Sequence, residues 1–507
     1  MRITRLSCLM LGLTICLNGL NAQVLERPDY PEFQLNEAQL KGQMYWLASD
    51  FLEGRRTGSL GNDIAAEYIA TQLEGFGYEP INGDSYFQDV PLETVMGPEE
   101  GMLKIGRTTY THGEELLYMR GPAAAGKAKV VFAGYGWVDE ESGHDDYANI
   151  DVSGKIVITR PGIPGDPGQS GIFQGIRNKA EIAAERGAVA VVEFYQLPFP
   201  WDAFKNYFGG GGISLADEDN EGSPIPYGFL NVDEATIGGI TTATKPLKGE
   251  MMSGGMTVLP IESRNVGGIL RGADPELADE YMIMTAHYDH VGVGEQGGGA
   301  FTEEDDIFNG ARDNAFGTIA LLSSARCFAE LPPRRSIIIL AVTGEEMGLL
   351  GSQYYAENPL VPLEQTVYNF NVDGAGYNDV TAISTFGGNR TGVDAEIQAA
   401  ADLFNFTIFN NPAPEQGLFD RSDNVSFARK GVPAITFTEG FSDFDDEIMR
   451  YYHQVTDNPN TIDYEYLRKF CVAYTYAARL IANRAERPFW IEGDKYEEAG
   501  IELYNRR

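Results

Sequence analysis

The stretch Ile339-Leu340-Ala341-Val342-Thr343-Gly344-Glu345-Glu346 decides the fold class. Its apolar run reads as a strand buried on both faces, the pattern of a parallel sheet. Thr343-Gly344 ends the strand, and two adjacent carboxylates follow. Open α/β sheets place their chemistry in the crevice beyond the carboxyl ends of such strands. Neighbouring glutamates there repel each other unless a cation binds one and the other has a proton to move. A lone Glu-Glu pair would read as a solvated acidic turn. Here, other candidate ligands end other predicted strands.

Outward from this segment, residues 265–490 alternate strand and helix patterns. Strands are predicted at 281–286, 336–342, 367–372 and 432–437, and helices at 315–328, 394–404 and 464–483. That alternation predicts an α/β domain, a largely parallel mixed sheet flanked by helices. Residues 36–80 read as helices around the polar loop Glu53-Gly54-Arg55-Arg56-Thr57-Gly58, and 86–120 as strands. Near residue 122 the texture changes to short strands (130–136, 155–160, 188–194), a helix at 179–186, and a loop at the glycine run 209–212. This block contains no cluster of His and carboxylates and reads as a non-catalytic insert. The expected divisions are 1–22 signal peptide, 23–121 first part of the main domain, 122–263 insert, 264–490 catalytic core and 491–507 tail.

The chain has 507 residues, 43% hydrophobic and 22% charged, which suits two or three globular domains. Its formal net charge of -36 repels phosphate backbones and excludes nucleic acid as an expected partner. Arg2 and Arg5 precede the short apolar stretch 6–17, with cleavage expected between Ala22 and Gln23. No later stretch is apolar enough to cross a membrane. The mature chain is therefore expected to be exported, periplasmic or extracellular, without a membrane anchor. Cys8 and Cys16 leave with the signal. Cys327 and Cys471 lie in apolar helical patterns and read as buried free thiols.

The chain has only five histidines. His287 directly follows a predicted strand, with Asp289 two residues on, a spacing that suits a metal ligand held by an acid. Asp313 lies in a strand-to-helix loop, Asp373 just after the strand 367–372, and His453 precedes the last long helix. Each alone has a structural reading, as a helix cap or a surface pair. Together they offer imidazole and carboxylate donors without thiolate, which suits zinc, cobalt or manganese, zinc being usual outside the cell. Five donors exceed one tetrahedral site that must also hold water. They suit two metals if one carboxylate bridges, leaving one glutamate free to act as general base.

At these positions the sequence resembles the di-zinc exopeptidases of peptidase family twenty-eight, the aminopeptidase Y and glutamate carboxypeptidase group. The matching blocks are His287-Tyr288-Asp289, Gly310-Ala311-Arg312-Asp313-Asn314, 344–352, Asn371-Val372-Asp373 and Tyr452-His453. Phe51-Leu52-Glu53-Gly54-Arg55 resembles the helical entry of members with an insert, and 122–263 resembles a protease-associated domain. The resemblance implies a phosphorylase/hydrolase-like fold and two Zn2+ per chain. It implies that Asp313 bridges, His287 and Asp373 complete one metal, and Glu346 and His453 complete the other. Glu345 would be the general base, Asp289 would orient His287, and Tyr452 would help hold the oxyanion.

Phe316 stands where relatives place a small residue, which puts the pocket width or the helix start at issue. Asn424 stands where they carry histidine, which puts substrate contacts at issue. The acidic run Glu303-Glu304-Asp305-Asp306 is either a solvated face or an attractor for a substrate amino terminus. The expected activity is removal of terminal residues from peptides, first as an aminopeptidase because no Arg cluster marks a pocket for a terminal carboxylate. The alternatives are a carboxypeptidase of the same family, a one-zinc glutaminyl cyclase-like acyltransferase, and a dead binding protein of the transferrin-receptor type.

Overall fold

The computed structural model of the chain describes residues 29–139, 142–166, 169–197, 199–209, 211–216 and 223–505. The expected signal segment, with Cys8 and Cys16, lies outside them, as does Gly210 of the glycine run. The main sheet has ten strands: β1 (Glu79–Pro80), β2 (Phe87–Met96), β3 (Gly212–Leu215), β4 (Thr257–Leu270), β5 (Tyr281–His287), β6 (Ser336–Val342), β7 (Thr366–Val372), β8 (Ala382–Phe386), β9 (Thr407–Asn410) and β10 (Ala434–Glu439). Their order is β3-β2-β4-β6-β5-β7-β10-β8-β9, with β1 paired to β4. The central four, β6-β5-β7-β10, are parallel, and antiparallel pairs flank them on both sides. The chain runs from β5 out to β6 and back across β5 to β7. The strand order therefore reverses at β5, and open sheets form their crevice at such a point.

Alternation along the central strands sends side chains into two cores. Met282, Met284 and Ala286 of β5, with Ile337, Ile339 and Ala341 of β6, pack beneath helices α1 (Glu37–Leu47), α2 (Leu60–Phe76), α3 (Gly317–Glu330) and α7 (Tyr464–Ala482). Ile283, Ile338, Leu340 and Val342 point the other way, toward α4 (Leu350–Glu357) and α6 (Asn424–Arg429). Burial on both faces is what makes these strands read as continuous apolar runs. The helix starts follow local chemistry: Ser59 accepts from the Asn62 amide at 3.2 Å, and Asp463 accepts from the Tyr466 amide at 2.9 Å. Cys327 and Cys471 are buried and free, as the sequence indicates. No helix among the described residues is long and apolar enough to cross a membrane.

A second sheet of eight strands lies outside this core, in the order Thr108–Thr111, Gly101–Ile105, Leu247–Ser253, Ala124–Phe132, Lys155–Thr159, Ala190–Phe194, Tyr227–Leu230 and Leu116–Arg120. Its strands run from residue 101 to residue 253. Strands 101–105, 108–111 and 116–120 belong to the insert, whereas 257–263 is already β4 of the main sheet. The glycine run also departs from a simple loop: a helix ends at Gly209, and Gly212 opens β3, which pairs with β2. Strand 101–105 alternates in burial as 88–92 of β2 does, and only their pairing partners assign them to different sheets.

Candidate metal centre

The register of the central strands gathers the chemistry. His287, the last residue of β5, stands opposite Val342 of β6, so Glu345 and Glu346 emerge beside it. Asp373 follows the end of β7. Asp313 sits in an irregular turn, Ala311–Phe316, just before α3. Gly310, at φ +56°, starts that turn; a Cβ there would lie 2.2 Å from the Asp313 carbonyl and 2.6 Å from the His290 ring, so only glycine fits. His453 arrives from the loop preceding α7.

These side chains converge. His287 Nε2 lies 3.3 Å from Asp313 Oδ1 and 3.1 Å from Asp373 Oδ1. His453 Nε2 lies 3.3 Å from Asp313 Oδ2 and 3.0 Å from Glu346 Oε2. Asp313 thus turns one oxygen to each histidine. Ligand atoms about 2.0–2.1 Å from a shared tetrahedral ion stand roughly 3.3 Å apart. The donors are therefore spaced as ligands of common ions, and their nitrogen and oxygen chemistry suits zinc. Two groups of residues here can hold a metal, His287/Asp313/Asp373 and His290/Asp313/Glu346/His453.

His290 is the residue that sequence reasoning passed over. It is buried, and its Nδ1 lies 2.7 Å from Glu346 Oε1, closer than two ligands of one ion and typical of a hydrogen bond. Its only sequence signal is its place three residues beyond His287. Asp289 is close to His287, but the contact at hydrogen-bond distance is its main-chain carbonyl, 3.2 Å from Nδ1; its carboxylate is 3.8 Å away. That carboxylate instead accepts from Thr57 Oγ1 at 2.9 Å and from the Glu345 amide at 3.3 Å.

Longer-range partners fix the frame. The buried Arg55 donates to the carbonyls of Tyr288, Asn309 and Gly310 at 2.9, 2.7 and 3.0 Å, tying the entry loop to two strand ends. Burial lowers its pKa to about 10, opposed by Asp289 and Asp313. Asp457 accepts from the Arg312 amide at 2.8 Å and from its guanidinium at 2.9 Å, holding the turn that carries Asp313. Ser422 Oγ donates to Asp373 Oδ2 at 2.6 Å.

The electrostatics are those of a cation site. Burial alone would raise Asp313, but hydrogen bonds from His287 and His453 hold it far below the carboxylate range. Burial and Asp313 push Glu346 up, yet His453 and His290 prevail and hold it at about 2. Burial lowers His453, but Glu346 and Asp313 outweigh it and raise it to about 10. Glu345 is raised well above its ordinary value by burial, reinforced by Asp373 and Glu346. A cavity of about 50 Å³ opens beside the donors, walled by Phe386, Leu418, Phe444, Tyr452 and Arg421.

The two departures lie away from this cavity. Phe316 is fully buried and packs on Phe470 at 5.0 Å between ring centres, in the core rather than at the pocket wall. Helix α3 starts at the next residue. Asn424 is buried beneath the sheet end and accepts from Thr436 Oγ1 at 2.9 Å. Glu303, Glu304 and Asp305 are exposed and do not line the cavity.

Residues 265–477 match the model of Peptidase family M28. Aminopeptidase YwaD of Bacillus subtilis is 27% identical over 318 residues, 60% of this chain and 65% of that protein. A probable zinc metalloprotease of Leptosphaeria maculans is 28% identical over 256 residues, 44% of this chain and 55% of that protein. The matched region thus spans less than two thirds of either relative. Among solved structures, an aminopeptidase from Aneurinibacillus sp. strain AM-1 shares the fold, with a TM-score of 0.55 and 20% identity over 90% of this chain and 95% of that one. The segment that matches the model of Peptidase family M28 carries all of the converging donors from His287 to His453.

Proposed function

We propose that the protein is a zinc-dependent exopeptidase that removes residues from the amino ends of peptides. The observation that carries this reading is Asp313, which presents one carboxylate oxygen to His287 and the other to His453. His287, Asp313 and Asp373 would hold one ion, and His453, Asp313 and Glu346 a second. Bound there, zinc supplies Lewis-acid polarisation of the scissile carbonyl and acidifies the attacking water.

The chain's own residues do the rest. Glu345 takes a proton from the attacking water at its carboxylate and delivers it to the leaving nitrogen. Burial and its acidic neighbours raise its proton affinity, which suits that exchange. Asp289 fixes the Glu345 backbone through its amide, and Thr57 fixes Asp289. The Tyr452 phenol is raised by burial, with Asp313 and Glu346, and so stays protonated as a donor toward the developing oxyanion. His290 holds the second oxygen of Glu346, an outer contact that orients a ligand.

Amino-terminal cleavage is supported by a relative named as an aminopeptidase. We infer that the chain is exported, on the basis of Arg2, Arg5 and the apolar stretch 6–17, and that the eight-stranded insert is a protease-associated type of domain. The test is a set of short peptides with free or acetylated amino termini. Acetylation is expected to abolish cleavage; equal rates on both sets would overturn the amino-terminal reading.

A further inference from the structure

One cation in the cavity wall has no part in the chemistry above. Arg421 ends the turn Leu418–Arg421, is exposed, and lines the cavity beside Phe386, Leu418, Phe444 and Tyr452. Its Nη2 stands 3.5 Å from the Tyr452 hydroxyl. Nearby charged groups are already matched: Asp420 is held by Lys495 at 2.7 Å and by Tyr496 at 3.0 Å, and Arg390 by Asp494 at 2.6 Å. Among the described residues, Arg421 has no carboxylate within ion-pairing distance. In a chain of net charge -36, an arginine unpaired at the mouth of a functional cavity is conspicuous.

The position has a reach. The Tyr452 ring stacks on the His453 ring with centres 4.2 Å apart, and the Tyr452 hydroxyl then meets Arg421. An extended peptide covers about 3.5 Å per residue, so the guanidinium lies two or three residues from the donors at most. A planar guanidinium recognises carboxylates by paired, charge-assisted hydrogen bonds.

We propose that Arg421 is a specificity-determining residue that binds a carboxylate of the substrate, so that the site favours short peptides bearing an anionic group close to the scissile bond. This rests on the exopeptidase reading and names its substrate class. The carboxylate has two sources within that reach, the carboxyl terminus of a dipeptide or the side chain of a terminal Asp or Glu.

The test uses the zinc-loaded full chain and two matched pairs. Leu-Gly is compared with its carboxyl-terminal amide, and the glutamyl with the glutaminyl p-nitroanilide. The wild type is expected to favour the carboxylate member of at least one pair by about 10–100-fold in kcat/KM, carried mainly by KM, and high salt is expected to shrink that ratio. Arg421→Gln is expected to bring the ratio close to one, and Arg421→Lys to restore part of it. Which pair responds identifies the source of the carboxylate. Ratios near one in both wild-type pairs, or a ratio unchanged in Arg421→Gln, would overturn the proposal while leaving the exopeptidase reading standing. Failure to cleave any of the four compounds would overturn both.

Discussion

Two of the places where the molecule buries carboxylates neutralise them in opposite ways. In the insert, Glu193 is 1% exposed and meets Lys179 Nζ at 2.8 Å, with the Tyr227 hydroxyl on its other oxygen. Lys179 also donates to the Arg160 carbonyl at 2.7 Å. Burial pushes Glu193 up and Lys179 down, and each is partly restored by the other. Protein atoms complete that cluster. Beyond β5, β6 and β7, by contrast, Asp289, Asp313, Glu345, Glu346 and Asp373 gather around His287, His290 and His453. The buried Arg55 beside this frame gives its donors to backbone carbonyls. The difference teaches that buried charge by itself is a structural feature. An uncompensated excess of one sign, in donors spaced for a common ion, points to a function.

The sharpest way to break the comparison is to remove the proton carrier from the unbalanced cluster. Glu345→Gln is expected to cut turnover by about 10²–10⁴-fold while metal content, measured by elemental analysis, stays unchanged. Undiminished turnover would remove Glu345 from the chemistry. The balanced cluster should fail differently. Lys179→Met leaves Glu193 buried and unpaired and is expected to cost about 3–5 kcal/mol in urea unfolding, with metal content unaffected. Lys179→Met combined with Glu193→Leu is expected to recover most of that loss, and a single variant as stable as the wild type would show that the pair is not isolated from water.

The smallest effect concerns protons. Without metal, burial lowers His453, but Glu346 and Asp313 raise it to about 10, so it carries a proton at neutral pH. A raised folded-state value stabilises the metal-free fold fully below about 6.5, and that contribution is lost as the pH climbs toward 10. Zinc needs the neutral imidazole and must displace the proton. Apparent zinc affinity is therefore expected to rise by about tenfold per pH unit for each proton released. Titration calorimetry in buffers of different ionisation enthalpy measures this. Binding without proton release at neutral pH would mean that the imidazoles are already neutral and that the carboxylates dominate them less than their distances imply.

Much of this was legible in the chain. Burial on both faces made β5 and β6 readable as near-continuous apolar runs, from Met282 to Ala286 with Thr285 its one polar residue and from Ile337 to Val342. His287, Asp313, Glu345, Glu346, Asp373 and His453 were legible as candidates because strand ends are where such a sheet exposes side chains together. Sheet membership was not legible: 101–105 alternates in burial as 88–92 does, and which sheet each joins depends on a partner far away in sequence. Phe316 left the pocket width or the helix start open and Asn424 left substrate contacts open; both side chains are buried away from the cavity, since adjacency to a site in sequence does not set the direction of a side chain.

The sequence by itself determined the layered α/β architecture and which residues are candidate donors, with the chemistry those residue types offer. These follow from local periodicity and from residue types that only certain ions accept. Only the tertiary structure decided that each oxygen of Asp313 faces a different histidine, that His290 backs Glu346, that Arg55 and Asp457 hold the loops in place, and that Arg421 reaches the cavity. The reason is physical: each of these is a contact between segments distant in the chain. Its partner is chosen by strand register and helix packing, which no local pattern records.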